Sequence, residues 1–103
     1  MRRTLIRYKT KPEASDRNAE LVSAVFAELK ASAPEDTRYL TLRLDDDTFI
    51  HLVEAAADDG SSPIPGLKAF QAFQSGIRDR CIEPPKVAEA TIIGNYRMLG
   101  ASR

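Results

Sequence analysis

The chain is 103 residues long, with 43% hydrophobic and 29% charged residues, a composition too apolar for disorder and suited to a single domain spanning 1–103. Lys plus Arg equals Asp plus Glu at 15 each, so the basic surplus that usually accompanies nucleic-acid binding is missing. No apolar run nears the roughly 18 residues of a membrane span, and the basic start Met1-Arg2-Arg3 has no apolar stretch behind it. The single cysteine, Cys81, allows neither an internal disulfide nor a cysteine-cluster metal site. The expectation is a cytoplasmic protein with no membrane or nucleic-acid partner.

The first run, residues 3 to 10, is rich in β-branched and aromatic residues and predicts a strand that stops before Pro12. From about 14 to 32, Leu21, Val22, Val25, Phe26 and Leu29 mark one face of a helix that ends before Pro34. Thr37 to Leu44 alternates strictly, Asp45-Asp46-Asp47 makes a turn, and Thr48 to Ala55 is a second β-rich run. Together they predict an antiparallel hairpin. Its hydrophobic pattern sets Leu42 opposite Ile50 and Leu40 opposite Leu52, since a one-residue slip would mix the two faces. After a breaker-rich loop at 58–66, Leu67, Phe70, Phe73, Gln74 and Ile77 predict one helix over about 66 to 80. Pro84-Pro85 closes that segment, Lys86 to Met98 predicts a final strand, and residues 100–103 a loose tail.

The order β-α-β-β-α-β is the ferredoxin-like arrangement, an α+β fold whose four-stranded antiparallel sheet carries both helices on one face. The aliphatic face of the hairpin, with Leu42 and Ile50, is expected beneath the helices. Tyr39, Thr41, Arg43, Phe49, His51 and Val53 then fall on the other face, which is too apolar to stay wet. A second copy packed sheet to sheet would cover it and enclose a cavity, giving a homodimer through the sheet face.

The chain resembles the dimeric α+β barrel superfamily, and within it the small antibiotic-biosynthesis-monooxygenase-like proteins. The resemblance spans nearly the whole chain. It rests on the element order and on Leu5-Ile6-Arg7-Tyr8, Asn18-Ala19-Glu20-Leu21-Val22, Phe49-Ile50-His51-Leu52 and Phe70-Gln71-Ala72-Phe73-Gln74 before Pro84-Pro85. It implies cofactor-independent oxygenase, haem-degrading or isomerase relatives, and a shared fold does not choose among them. The haem-degrading type resembles an Asn, Trp and His constellation, and the quinone-forming type tends to use Trp with Asn and Arg. This chain has no Trp, so neither set carries over whole.

His51, the only histidine, is the natural general base near neutral pH. The plainer reading is a pocket-lining histidine bonded to Thr41 or Tyr39. Arg43 could steady an anion, or pair with Asp47 or Glu54. Tyr39, Thr41, Phe49 and Arg7 are the expected substrate-binding residues, with the face of Arg7 left open. Asn18, Gln74, Tyr96 and Cys81 read as surface or packing positions. Asp45-Asp46-Asp47 lacks the ligand spacing of a calcium loop, so neither a metal nor a cofactor is expected. Two functions stand side by side. One is a cofactor-independent, monooxygenase-like or isomerase-like enzyme on a small aromatic or polyketide-type substrate, with His51 and Arg43 as its catalytic pair. The other is a non-catalytic dimer that binds a small ligand or serves as a stress-related accessory. An RNA-binding reading of the same strand order fails because Thr48 to Val53 lacks the basic, glycine and paired aromatic positions that reading needs.

Overall fold

A computed structural model of the chain describes residues 1–57, 59 and 61–99. The expected tail at 100–103, and Asp58 and Gly60 of the expected loop, lie outside the described residues. Strand β1 runs Arg2–Thr10 and helix α1 Ser15–Ser32, joined by a short 3-10 turn at Pro12–Ala14. The hairpin strands are β2, Thr37–Arg43, and β3, Thr48–Ala55. Helices α2, Lys68–Gln74, and α3, Ile77–Arg80, precede β4, Cys81–Glu89. The sheet is antiparallel in the order β2-β3-β1-β4, and the helices share one of its faces.

Proline at 12 forces Lys11 into extended backbone (φ −62°, ψ 145°) and so ends β1. Asn18, Val22 and Val25 recur at helical spacing and form the buried face of α1. The helix stops at Ala33, which takes a left-handed φ of 44° and donates its N–H to the Leu29 carbonyl at 2.7 Å. Glu28 of α1 accepts the N–H groups of Lys68 and Ala69 at 3.3 and 2.8 Å. It thereby caps the start of α2 and ties the helices together.

The expected second helix is two pieces. Ser75 is extended and Gly76 sits at φ +76°, a conformation that glycine adopts without cost. The apolar stripe Phe70, Phe73, Ile77 keeps helical spacing across this break, which is why the sequence reads as one helix. The last strand also differs. It begins at Cys81, five residues before the expected start, and holds Pro84 and Pro85 inside it. An edge strand tolerates missing N–H donors, and register shifts opposite Arg7, Lys9 and Thr10 absorb the prolines. Residues 90–99 take no helix or strand, and Ile93, Tyr96 and Met98 are highly exposed.

The hairpin register is as expected, with Leu42 opposite Ile50 and Leu40 opposite Leu52. Its faces are the reverse of the expectation. Phe49 and His51 are 1% and 2% exposed beneath the helices, whereas Leu40 and Leu42 are 45% and 48% exposed on the open face. Alternation fixes which residues share a face but not which face the helices cover. Aromatic bulk decides it. Tyr8 stacks on Phe49 with centroids 5.5 Å apart, Phe26 stacks on Tyr39 at 4.7 Å, and Phe73 tilts against Tyr8 at 6.2 Å. Each such pair adds about 0.5–1.5 kcal/mol beyond its buried area. Val22, Val25 and Leu67 complete this core.

Candidate functional site

Between the sheet and the α2–α3 segment lies a cavity of about 300 Å³. Ile6, Val53, Ile64, Phe70, Phe73 and Ile77 give it apolar walls, and Tyr8, Tyr39 and His51 are among its polar lining. Cross-strand pairing brings these groups together. Ile6 of β1 lies opposite His51 of β3, and His51 lies opposite Thr41 of β2. The cavity therefore sits inside one chain, on the helix side of the sheet, and not between the sheets of two copies as expected. The cause is the reversal of the hairpin faces.

A continuous run of hydrogen bonds crosses the site. Tyr39 Oη lies 2.5 Å from His51 Nδ1, and Thr41 Oγ1 lies 3.2 Å from the same nitrogen. His51 Nε2 lies 2.8 Å from Tyr8 Oη. Asn18 Nδ2 donates to Tyr8 Oη at 2.9 Å, and Arg80 Nε donates to Asn18 Oδ1 at 3.1 Å. Arg80 is itself anchored by the carbonyls of Phe73 and Ser75 at the end of α2, and its guanidinium lies 5.5 Å from the centre of the Phe73 ring.

Burial sets the protonation states. It pushes His51 down from 6.5 to about 4, so the imidazole is neutral at pH 7. It raises the Tyr8 and Tyr39 phenols above their ordinary value. Arg80 is lowered by the same cause. Burial also raises the Cys81 thiol, with Arg80 pulling the other way. Desolvation outweighs the arginine, which fits the packing role expected of Cys81.

Of the expected site residues, His51 and Tyr39 line the cavity and Thr41 touches His51. Phe49 is buried core beneath Tyr8. Arg43 is not among the lining residues. It pairs with Asp16 at 3.0 Å and Asp47 at 3.5 Å, and stands 5.8 Å from the Phe49 ring centre. Arg7 is exposed on the open face, the parity opposite to Ile6 and Tyr8. Asn18, expected as a plain polar position, is fully buried in the network. Gln74 is exposed but contributes to the cavity lining, while Tyr96 stays at the surface. Tyr8 and Arg80 were not expected in the site. Tyr8 could have been found from its shared parity with Ile6. Arg80 stands beyond the helix break at Gly76 and reaches Asn18 from α3. In the Asp45-Asp46-Asp47 turn, Asp46 Oδ1 accepts the Thr48 N–H at 3.0 Å, a turn-closing bond. Among the described residues no three His, Cys, Asp or Glu side chains gather as a metal site would need, and no helix is long and apolar enough to cross a membrane.

No family model matches the chain, and no curated protein does. Solved structures match its fold. A proposed antibiotic biosynthesis monooxygenase from Bacteriodes thetaiotaomicron superposes with a TM-score of 0.76 at 12% identity, over 96% of this chain and 95% of that one. One of the same description from Nitrosomonas europaea gives 0.74 at 12% identity, over 91% and 100%. Another, from Caulobacter crescentus, gives 0.72 at 16% identity, over 90% of each chain. The fold is thus that of antibiotic-biosynthesis-monooxygenase-like proteins.

Proposed function

We propose that the chain binds a small aromatic or polyketide-type compound in the helix-side cavity and oxidises it without a cofactor, as a monooxygenase-like enzyme. The observation that carries this reading is the Tyr39–His51 pair, its histidine buried, on the wall of a largely apolar cavity. A cavity of this make-up suits an aromatic body with a polar end. In the reaction, a ring CH₂ becomes a carbonyl. One atom of O₂ enters the product, the other leaves as water with the two hydrogens, and the substrate supplies every electron. The protein's task is to manage the substrate's proton and the anion left behind. His51, neutral at pH 7, is the proton acceptor, and the Tyr39 hydroxyl steadies the developing charge. Arg43 is committed to Asp16 and Asp47, so the anion-stabilising role suggested for it passes to Tyr39.

One observation favours binding without turnover as the second reading. An imidazole held at about 4 is a weak base in the empty cavity, and only a bound anion beside it restores its basicity. Oxygen uptake with a panel of phenols and polyketide-type compounds separates the two. The monooxygenase-like reading expects uptake that falls about 10²–10⁴-fold in His51→Gln. Saturable binding with no uptake supports the second reading, and absence of both refutes the first and second alike.

The open sheet face bears on assembly. Leu40, Leu42 and Leu44 are 40–48% exposed there, and Leu52 and Ile50 lie beside them in register. Contiguous aliphatic surface of this kind marks an interface. In our reading a second copy covers it, giving a sheet-to-sheet homodimer whose two cavities lie on the outer, helix sides.

A further inference from the structure

The hydrogen-bond run beneath the cavity has a direction, and it starts at Arg80. A guanidinium only donates. Its Nε–H on Asn18 therefore requires the amide oxygen on that side and turns the Asn18 NH₂ toward Tyr8. Tyr8 Oη accepts that bond, and its other partner is His51 Nε2 at 2.8 Å. Tyr8 is 2% exposed, where an unplaced hydroxyl proton would be costly. Its O–H must then donate to Nε2, so Nε2 carries the lone pair. A neutral imidazole has one N–H, and it falls on Nδ1. That proton points at Tyr39 Oη, 2.5 Å away. Two protons cannot share that short contact, so the Tyr39 O–H turns elsewhere. Thr41, which hydrogen-bonds the Tyr39 side chain, is the alternative partner, and a ligand oxygen entering the cavity would replace it.

We propose that Arg80 and Asn18 are positioning residues that act through Tyr8 to hold His51 in its Nδ1–H form, which leaves the Tyr39 hydroxyl as the proton donor of the cavity and selects ligands that present an accepting oxygen, such as an aromatic ketone or its enolate. This rests on the cavity reading above and sharpens it. The accepting nitrogen of His51 faces Tyr8, not Tyr39. A proton taken from a ligand reaches His51 by way of Tyr8, which receives it on oxygen as it passes its own to Nε2. Tyr39 meanwhile donates to the ligand oxygen on which negative charge builds.

The single histidine makes the test direct. In untagged protein labelled with ¹⁵N-histidine, the two ring nitrogens report which one is protonated. The wild type should show protonated Nδ1 and bare Nε2 at pH 7. In Asn18→Asp the carboxylate accepts from Tyr8, Tyr8 in turn accepts from Nε2–H, and the signals should exchange. Arg80→Met frees the Asn18 amide to turn, and its spectrum should move toward the exchanged form. A packing role alone would move neither pattern. Protonated Nε2 in the wild type overturns the proposal without need of any variant, and an Nδ1–H signal that persists in both folded variants overturns it equally. Acetophenone, an acceptor, and indole, a donor of matching size, then probe the cavity. Wild type should prefer acetophenone by about tenfold, and Asn18→Asp should lose that preference. A wild-type preference for indole overturns the assignment of Tyr39 as donor. If neither probe binds while the ring signals behave as expected, the positioning role is supported and it is the cavity reading that fails.

Discussion

Replacing His51 with glutamine should remove an acid sensitivity that the wild-type fold carries. His51 is 2% exposed, and its burial lowers the pKa from 6.5 to about 4. The unfolded chain takes up this proton near 6.5, while the folded chain resists until about 4. Between those values the unfolded state binds more protons, so the contribution of His51 to stability falls as pH drops through that window. Above 6.5 it is level. A shift of this size corresponds to about 3 kcal/mol across the window at 1.36 kcal/mol per unit. Asp46 and Asp59, both lowered in the fold by hydrogen bonds from Thr48 and Ser61, also lose their contributions in acid. Subtracting the variant's curve from the wild type's removes these shared terms. Urea melts of both proteins between about pH 7.5 and pH 4.5 provide the curves. The wild type should lose roughly 2–3 kcal/mol more than His51→Gln over that range. Parallel curves would mean that His51 titrates as an open histidine, and the buried network would be refuted.

Three other outcomes follow from the packing. Phe49→Ala should cost about 3–5 kcal/mol and Leu42→Ala under about 1 kcal/mol in denaturant melts of the dilute chain, because Phe49 is core and Leu42 is half exposed; a larger cost at Leu42 than at Phe49 would restore the opposite face assignment. Ala33→Gly should raise stability by about 1 kcal/mol, since Ala33 holds a left-handed φ of 44° at the end of α1; no gain in melting temperature would count against that strain. Leu42→Asp, placed in the middle of the open aliphatic face, should halve the mass seen by light scattering at micromolar concentration; a wild type that is already monomeric would refute the sheet-to-sheet dimer.

The sequence carried the fold further than the site. Strict alternation from Thr37 to Ala55 gave the hairpin and its register, because a slip by one residue would scatter leucines onto both faces. The same alternation is symmetric with respect to the faces. Five aliphatic residues on one side looked like a core, and only the tertiary stacking of Tyr8, Phe49, Phe26 and Tyr39 shows that the aromatic side takes the helices. His51 and Tyr39 were legible as cavity residues even so, since they share parity with each other and with whatever covers them. Arg43 shared that parity as well, but it lies near the hairpin turn, where Asp16 and Asp47 capture it. Asn18 looked like a polar position on an amphipathic helix, and nothing local distinguishes it from one that is solvated. Arg80 follows a helix break at Ser75-Gly76 that helical spacing disguises. Pro84-Pro85 stopped the strand on paper because edge position, which excuses a proline, is a property of the whole sheet.

In our reading a ligand enters on the helix side of the sheet, and titrating ¹⁵N,¹³C-labelled protein with 1-naphthol while following its NMR spectrum checks that placement. The largest shift changes should fall on Tyr39, His51, Phe70, Phe73 and Ile77, which surround the cavity, with Leu40, Leu42 and Leu52 unmoved. Saturable changes confined to the open-face leucines, with His51 and Phe73 silent, would contradict it.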